Sequence, residues 1–108
     1  MPRSFRRFDF LCLGYDRRMD KRQVSRIAKA LADPRRFEIL QQIAERDEMS
    51  CASLRDCHKI APATLSHHLK ELEAAGLVEV RRESKYIYLQ LRRPEWKAYL
   101  RELKKIGK

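Results

Sequence analysis

The sequence predicts a mainly α-helical fold with one small β-hairpin (α+β): about five helices plus a two-stranded wing, built for pairing with a second copy. Three observations predict it. Pro62 to Gly76 places Leu65, Leu69 and Leu72 at helical spacing, with Ala75 at the edge of that face. Pro62 suits a first helical position, and Gly76 suits a C-terminal stop. Two strand-like runs follow at once, Leu77 to Arg82 and Lys85 to Leu91, with Glu83-Ser84 between them as the turn. Amphipathic stripes stand on either side of this unit. A helix followed by such a hairpin is the winged form of the helix-turn-helix.

The remaining elements fall in order. Val24, Ile27, Ala28 and Leu31 recur at i, i+3, i+4 and i+7, so a first helix runs from Lys21 to about Asp33. Asp33-Pro34 restarts the chain, with Pro34 in the opening turn of a second helix whose broad apolar face holds Phe37, Ile39, Leu40, Ile43 and Ala44. Asp47-Glu48-Met49 reads as a turn, and Ser50 as the cap of a short third helix reaching about Cys57. His58 to Ala61 is then the turn of the helix-turn-helix. Pro94 breaks the second strand, and Trp96, Tyr99, Leu100, Leu103 and Ile106 form a last stripe.

Residues 1–20 differ from the rest. They hold three of the four phenylalanines and five arginines before Met19 without a helical stripe. An N-terminal extension is expected there, as a disordered tail, a sequence lying upstream of a true start at Met19, or an arm touching DNA. Residues 21–108 make a single domain.

Composition narrows the partners. Twenty-five Lys and Arg stand against 15 Asp and Glu in 108 residues, a net charge of +10. Such a protein favours polyanions, double-stranded DNA first. No apolar run reaches membrane-spanning length, no secretory signal is evident, and a cytoplasmic location is the default. Three glycines leave no phosphate-cradling loop, and no nucleophile–base pair or paired carboxylates stand at motif spacing, so an enzyme is not expected.

At about 100° per residue, the face of helix 62–76 opposite the leucines carries small or hydrogen-bonding side chains near its N-terminus. Thr64, Ser66, His67 and Lys70 are the candidate groove contacts, and Arg81, Arg82 and Lys85 of the hairpin the candidate backbone contacts. Glu83, repelled by phosphate, is expected to point away. His68 falls beside the leucine face and belongs inside the domain. Arg35 and Arg36 fit either DNA backbone or bonds within the fold. The stripes of the first and last helices leave large apolar faces. Pairing them with their copies through Val24, Ile27, Leu31, Trp96, Tyr99, Leu100 and Leu103 gives a two-fold dimer, while the competing reading spends them on one protomer's core.

Three segments in this order carry a family likeness: Ala30 to Leu40 (ALADPRRFEIL), Thr64 to Val78 (TLSHHLKELEAAGLV) and Arg81 to Tyr88 (RRESKYIY). Across about residues 21–105 the chain resembles the ArsR/SmtB family of bacterial winged helix-turn-helix repressors. The resemblance implies a homodimer joined through first and last helices, bound to operator DNA and released by an inducer whose identity is not legible. Metal-sensing members carry Cys-x-Cys at the start of the third helix, whereas this chain has a lone Cys51 there. Other members place histidine and acidic ligands on the last helix, whereas residues 95–106 here contain no histidine. Lys59 and Ser84 stand where glycine is frequent in the turn and the wing.

Metal and cofactor are therefore not expected: Cys51 and Cys57 on one helix diverge by about 120°, a poor ligand pair. A thiol switch at Cys51 or Cys57 is an alternative, with Arg55 or Lys59 nearby to favour a thiolate, against a packed structural cysteine. A second alternative is a winged-helix module that docks on a protein or on structured RNA.

Overall fold

The computed structural model describes residues 19–58 and 60–107. Most of the expected N-terminal extension lies outside the described residues, with Cys12 and Lys59. Met19 and Asp20, which the sequence assigns to the extension, are part of the body. Met19 is buried in the core, and Asp20 Oδ1 accepts from the Gln23 amide at 2.8 Å to cap the first helix.

The elements run α1 (Lys21–Leu31), α2 (Pro34–Ala44), β1 (Met49–Ser50), α3 (Cys51–His58), α4 (Pro62–Ala74), β2 (Val78–Glu83), β3 (Tyr86–Leu91) and α5 (Arg93–Ile106). Five helices and a hairpin match the expectation. The sheet, however, has three strands in the order β1-β3-β2, all antiparallel. Met49, expected in a turn, pairs with Leu89 and is buried. A two-residue strand is too short to show any period.

Local chemistry fixes the helix ends. Asp33 Oδ1 accepts from the Arg35 and Arg36 amides at 2.9 and 3.1 Å, and Pro34 opens α2 with no amide to lose. Ser50 Oγ accepts from the Ser53 amide at 3.1 Å, which is the cap expected for α3. At the end of α4, Gly76 takes φ +82°, the Leu77 amide donates to Leu72 O at 3.1 Å, and the Gly76 amide donates to Glu73 O at 2.9 Å. That pair of bonds satisfies helix carbonyls and needs a left-handed residue. A β-carbon on Gly76 would also stand 3.2 Å from Gln23 Nε2.

The core gathers Ile27 of α1, Ile39, Leu40 and Ile43 of α2, Leu54 of α3, Leu65, Leu69 and Leu72 of α4, and Leu77, Val78, Leu89 and Leu91 of the sheet region. Two expected core positions differ. Ala28 is exposed while Ala30 is buried, and Phe37 of α2 is exposed. The wing turn sits one residue later than expected: Glu83 pairs with Tyr86, and the two-residue turn is Ser84-Lys85 rather than Glu83-Ser84. Ser84 carries the turn at φ 57°.

Candidate nucleic-acid interface

The two sides of α4 divide as the leucine spacing requires. Leu65, His68, Leu69 and Leu72 are buried, whereas Thr64, Ser66, His67 and Lys70 are all exposed. No side chain caps the α4 N-terminus, so first-turn amides beside Pro62 remain available to an acceptor. Burial of Leu65 and Leu72 seats the helix, and each buried leucine contributes about 1.5–3 kcal/mol relative to exposure.

His68 is held inside, as its position beside the leucines implies. Arg36 Nε donates to its Nδ1 at 3.5 Å. Burial lowers the imidazole pKa below its ordinary 6.5, with Arg36, His67 and Arg35 acting in the same direction and Asp33 against them. Arg36 also donates from Nη1 to Ala30 O at 3.3 Å and lies 3.7 Å from Asp33 Oδ2. Of the two readings open for Arg36, bonding within the fold is the one observed. Asp33 itself is held below the usual carboxylate range, mainly by the Arg36 backbone hydrogen bond.

The wing separates its cations. Arg82 and Lys85 are exposed, with Lys85 in the turn, its Nζ 5.6 Å from the centre of the Tyr86 ring. Arg81 is engaged within the fold. Its guanidinium donates to Glu48 Oε2 at 2.8 Å, lies 2.9 Å from Glu83 Oε1, and stacks 4.7 Å from the Tyr88 ring centre. The Glu48 and Glu83 hydrogen bonds raise its pKa further, and Arg81 in turn lowers that of Glu83. Glu83 thus pairs with Arg81 along its own strand. Arg81 ties the wing to the β1 region, with its charge spent inside the fold.

Helix and wing meet at a cleft. Ser66 and Lys70 of α4 line it from one side and Arg82 from the other, and Arg55 of α3 and Glu73 of α4 share the same space. Arg55 and Glu73 were absent from the sequence candidates. Arg55 follows Cys51 by one helical turn, a signal that becomes useful only once α3 is known to face the wing.

The expected dimer residues sort by exposure. Leu100 and Leu103 are exposed, Val24, Leu31 and Trp96 half-buried, but Ile27 and Tyr99 are enclosed within the protomer. A helical stripe shows that a face is covered, not which neighbour covers it. Cys51 is half-buried and Cys57 exposed, both as free thiols, and no cluster of three or more His, Cys, Asp or Glu gathers among the described residues. No helix among them is long and apolar enough to cross a membrane.

Known proteins share this arrangement. A family model described as a helix-turn-helix domain matches residues 31–81. The uncharacterised HTH-type transcriptional regulator YceK of Bacillus subtilis (strain 168) is 34% identical over 77 residues, 70% of this chain and 77% of that protein. The arsenical resistance operon repressor of the same organism is 31% identical over 74 residues, 68% of this chain and 70% of the repressor. This chain belongs to the ArsR/SmtB family. Among solved structures, the homodimeric winged helix-turn-helix DNA-binding domain Mb0332 from Mycobacterium bovis, a possible ArsR-family regulator, superposes with a TM-score of 0.63 at 29% identity, covering 81% of this chain and 86% of that one. As an ArsR/SmtB member the chain is a DNA-binding transcriptional regulator. The matched segment contains Thr64, Ser66, His67, Lys70 and Arg81, and ends one residue before Arg82.

Proposed function

We propose that this ArsR/SmtB regulator acts in the cytoplasm as a homodimeric repressor, bound to an imperfect palindrome through α4 and the wing of each copy and released by a signal. The observation that carries the reading is the shared cleft: Ser66 and Lys70 from the helix and Arg82 from the hairpin converge on one polar edge. In this reading Thr64, Ser66 and His67 meet base edges, and Lys70, Arg82 and Lys85 meet phosphates. Arg81 braces the wing. The repressor and homodimer among its relatives support the same assembly. A two-fold pair would present its α4 helices to half-sites about 34–36 Å apart, or a multiple of that spacing.

Selection of bound duplexes from a random pool tests this directly, and an enriched inverted repeat is expected. Ser66→Ala or His67→Ala should relax preference at one position per half-site by about 1–3 kcal/mol. Lys70→Ala and Arg82→Ala should weaken all sequences alike and flatten the salt dependence by about one phosphate contact per half-site. A pool that returns no motif overturns the reading.

A further inference from the structure

The cleft between α3, α4 and the wing has a volume of about 220 Å3 and two distinct zones. Its floor is apolar, made by Leu65, Leu69, Val80 and Ile87, with half-buried Cys51 at one end. Its rim carries Arg55, Lys70 and Arg82 against the single carboxylate of Glu73. None of these three cations makes an ion pair among the described residues. DNA accounts for the rim, since phosphates seek cations. It does not account for the floor, because a hydrated phosphodiester gains nothing from aliphatic surface, and apolar area left wet forgoes about 25 cal/mol per Å2.

We propose that this cleft is a binding site for a small hydrophobic carboxylate, a compact aryl acid or an alkyl acid several carbons longer than acetate, and that the bound acid competes with DNA. The apolar body lies on half-buried Val80 and Ile87, with Leu65 and Leu69 packed beneath, and the carboxylate meets the rim, where an arginine fork matches its two oxygens. The size supports this class: the cleft is smaller than the roughly 300–1,000 Å3 of sites for drug-sized ligands, so a single ring or short chain fills it. Competition follows from shared groups. Lys70 and Arg82 cannot neutralise a ligand carboxylate and DNA phosphates at once, and ligand and DNA weaken each other by the same factor. Only the competition rests on the DNA-contact reading above; the site itself stands on the cleft's geometry.

The test uses the full chain with methyl-resolved NMR and three probes: benzoate, acetate and benzyl alcohol. Benzoate is expected to shift the methyl signals of Leu65, Leu69, Val80 and Ile87 saturably. Acetate, with charge and no ring, and benzyl alcohol, with a ring and no charge, should each need at least about tenfold more, the equivalent of about 1.4 kcal/mol. Cys51→Phe, which fills one end of the cleft, should remove the benzoate response, and Val80→Phe serves as an independent filling variant. Unmoved cleft methyls, acetate matching benzoate, or undiminished binding in both folded variants would each overturn the site. Anisotropy with a selected DNA duplex at fixed ionic strength tests the second half. Benzoate should raise the apparent Kd of wild type and leave Cys51→Phe unaffected. Benzoate binding without any change in DNA affinity overturns the competition alone. A random pool with no enriched duplex overturns the DNA reading, while the methyl shifts still decide the site.

Discussion

His68 stands on α4 yet is turned into the protein, and that position gives it a pH signature. Its Nδ1 accepts from Arg36, so the neutral ring is the form that fits. The groups acting on it are Asp33 and Arg35 and Arg36 of α2's first turn, together with His67 of its own helix. Burial lowers the folded pKa below 6.5, so in the window beneath 6.5 the unfolded chain binds a proton that the folded chain refuses. The associated stability is fully present above about pH 6.5 and is lost as pH falls below it. Asp33 acts in a lower window. Its carboxylate is favoured in the folded state, chiefly by the Arg36 amide, so its contribution is kept above 3.8 and lost below. Thermal midpoints measured from about pH 7.5 to about pH 5.5 should fall in wild type and stay flatter in His68→Gln. Equal slopes in both proteins would show that another group dominates this window.

At the scale of elements, the ends of α4 and the wing decide where the proposed contact residues stand. Gly76 is the clearest case, since a left-handed φ of +82° and the 3.2 Å approach to Gln23 both oppose a side chain. Gly76→Ala should destabilise by more than about 1 kcal/mol in denaturant melts, while Ser84→Gly at the wing turn, φ 57°, should be neutral or slightly stabilising. A harmless Gly76→Ala would mean that the helix end rearranges at no cost. These same elements show what the sequence made legible. The leucine spacing, Pro62 and Gly76 located α4 and its exposed face, and Thr64, Ser66, His67 and Lys70 all lie on it. The pairing of Arg81 with Glu48 was not legible, because the two stand 33 residues apart and periodicity carries no information on such pairs. The third strand escaped for a related reason: two residues, Met49 and Ser50, gain strand character only from pairing with β3. Phe37 has the spacing of a core residue on α2 but is left 40% exposed.

At the scale of the whole molecule, the unresolved balance is between apolar surface and charge. Leu100, Leu103 and Ile106 of α5 are 44%, 39% and 81% exposed, at intervals of three residues along one helix. Val24 and Leu31 of α1 are half-buried, and α1 packs beside α5. An apolar stripe of this kind on a protein of net charge +10 is stable in water only at a cost, and a second copy placed about a two-fold axis removes it for both partners. The proposed mode of DNA binding favours the same arrangement, because a protomer on each half-site would double the phosphates neutralised. Leu103→Glu should therefore halve the sedimenting mass. It should also reduce the slope of log affinity against log salt by about half, the monomer keeping a single set of phosphate contacts. Lys105→Glu, on the far side of α5 from Leu103, introduces an acid on the same turn and should leave the dimer intact. If Leu103→Glu also remains dimeric with an unchanged salt slope, the interface lies elsewhere, and exposed Phe37 of α2 becomes the next surface to probe.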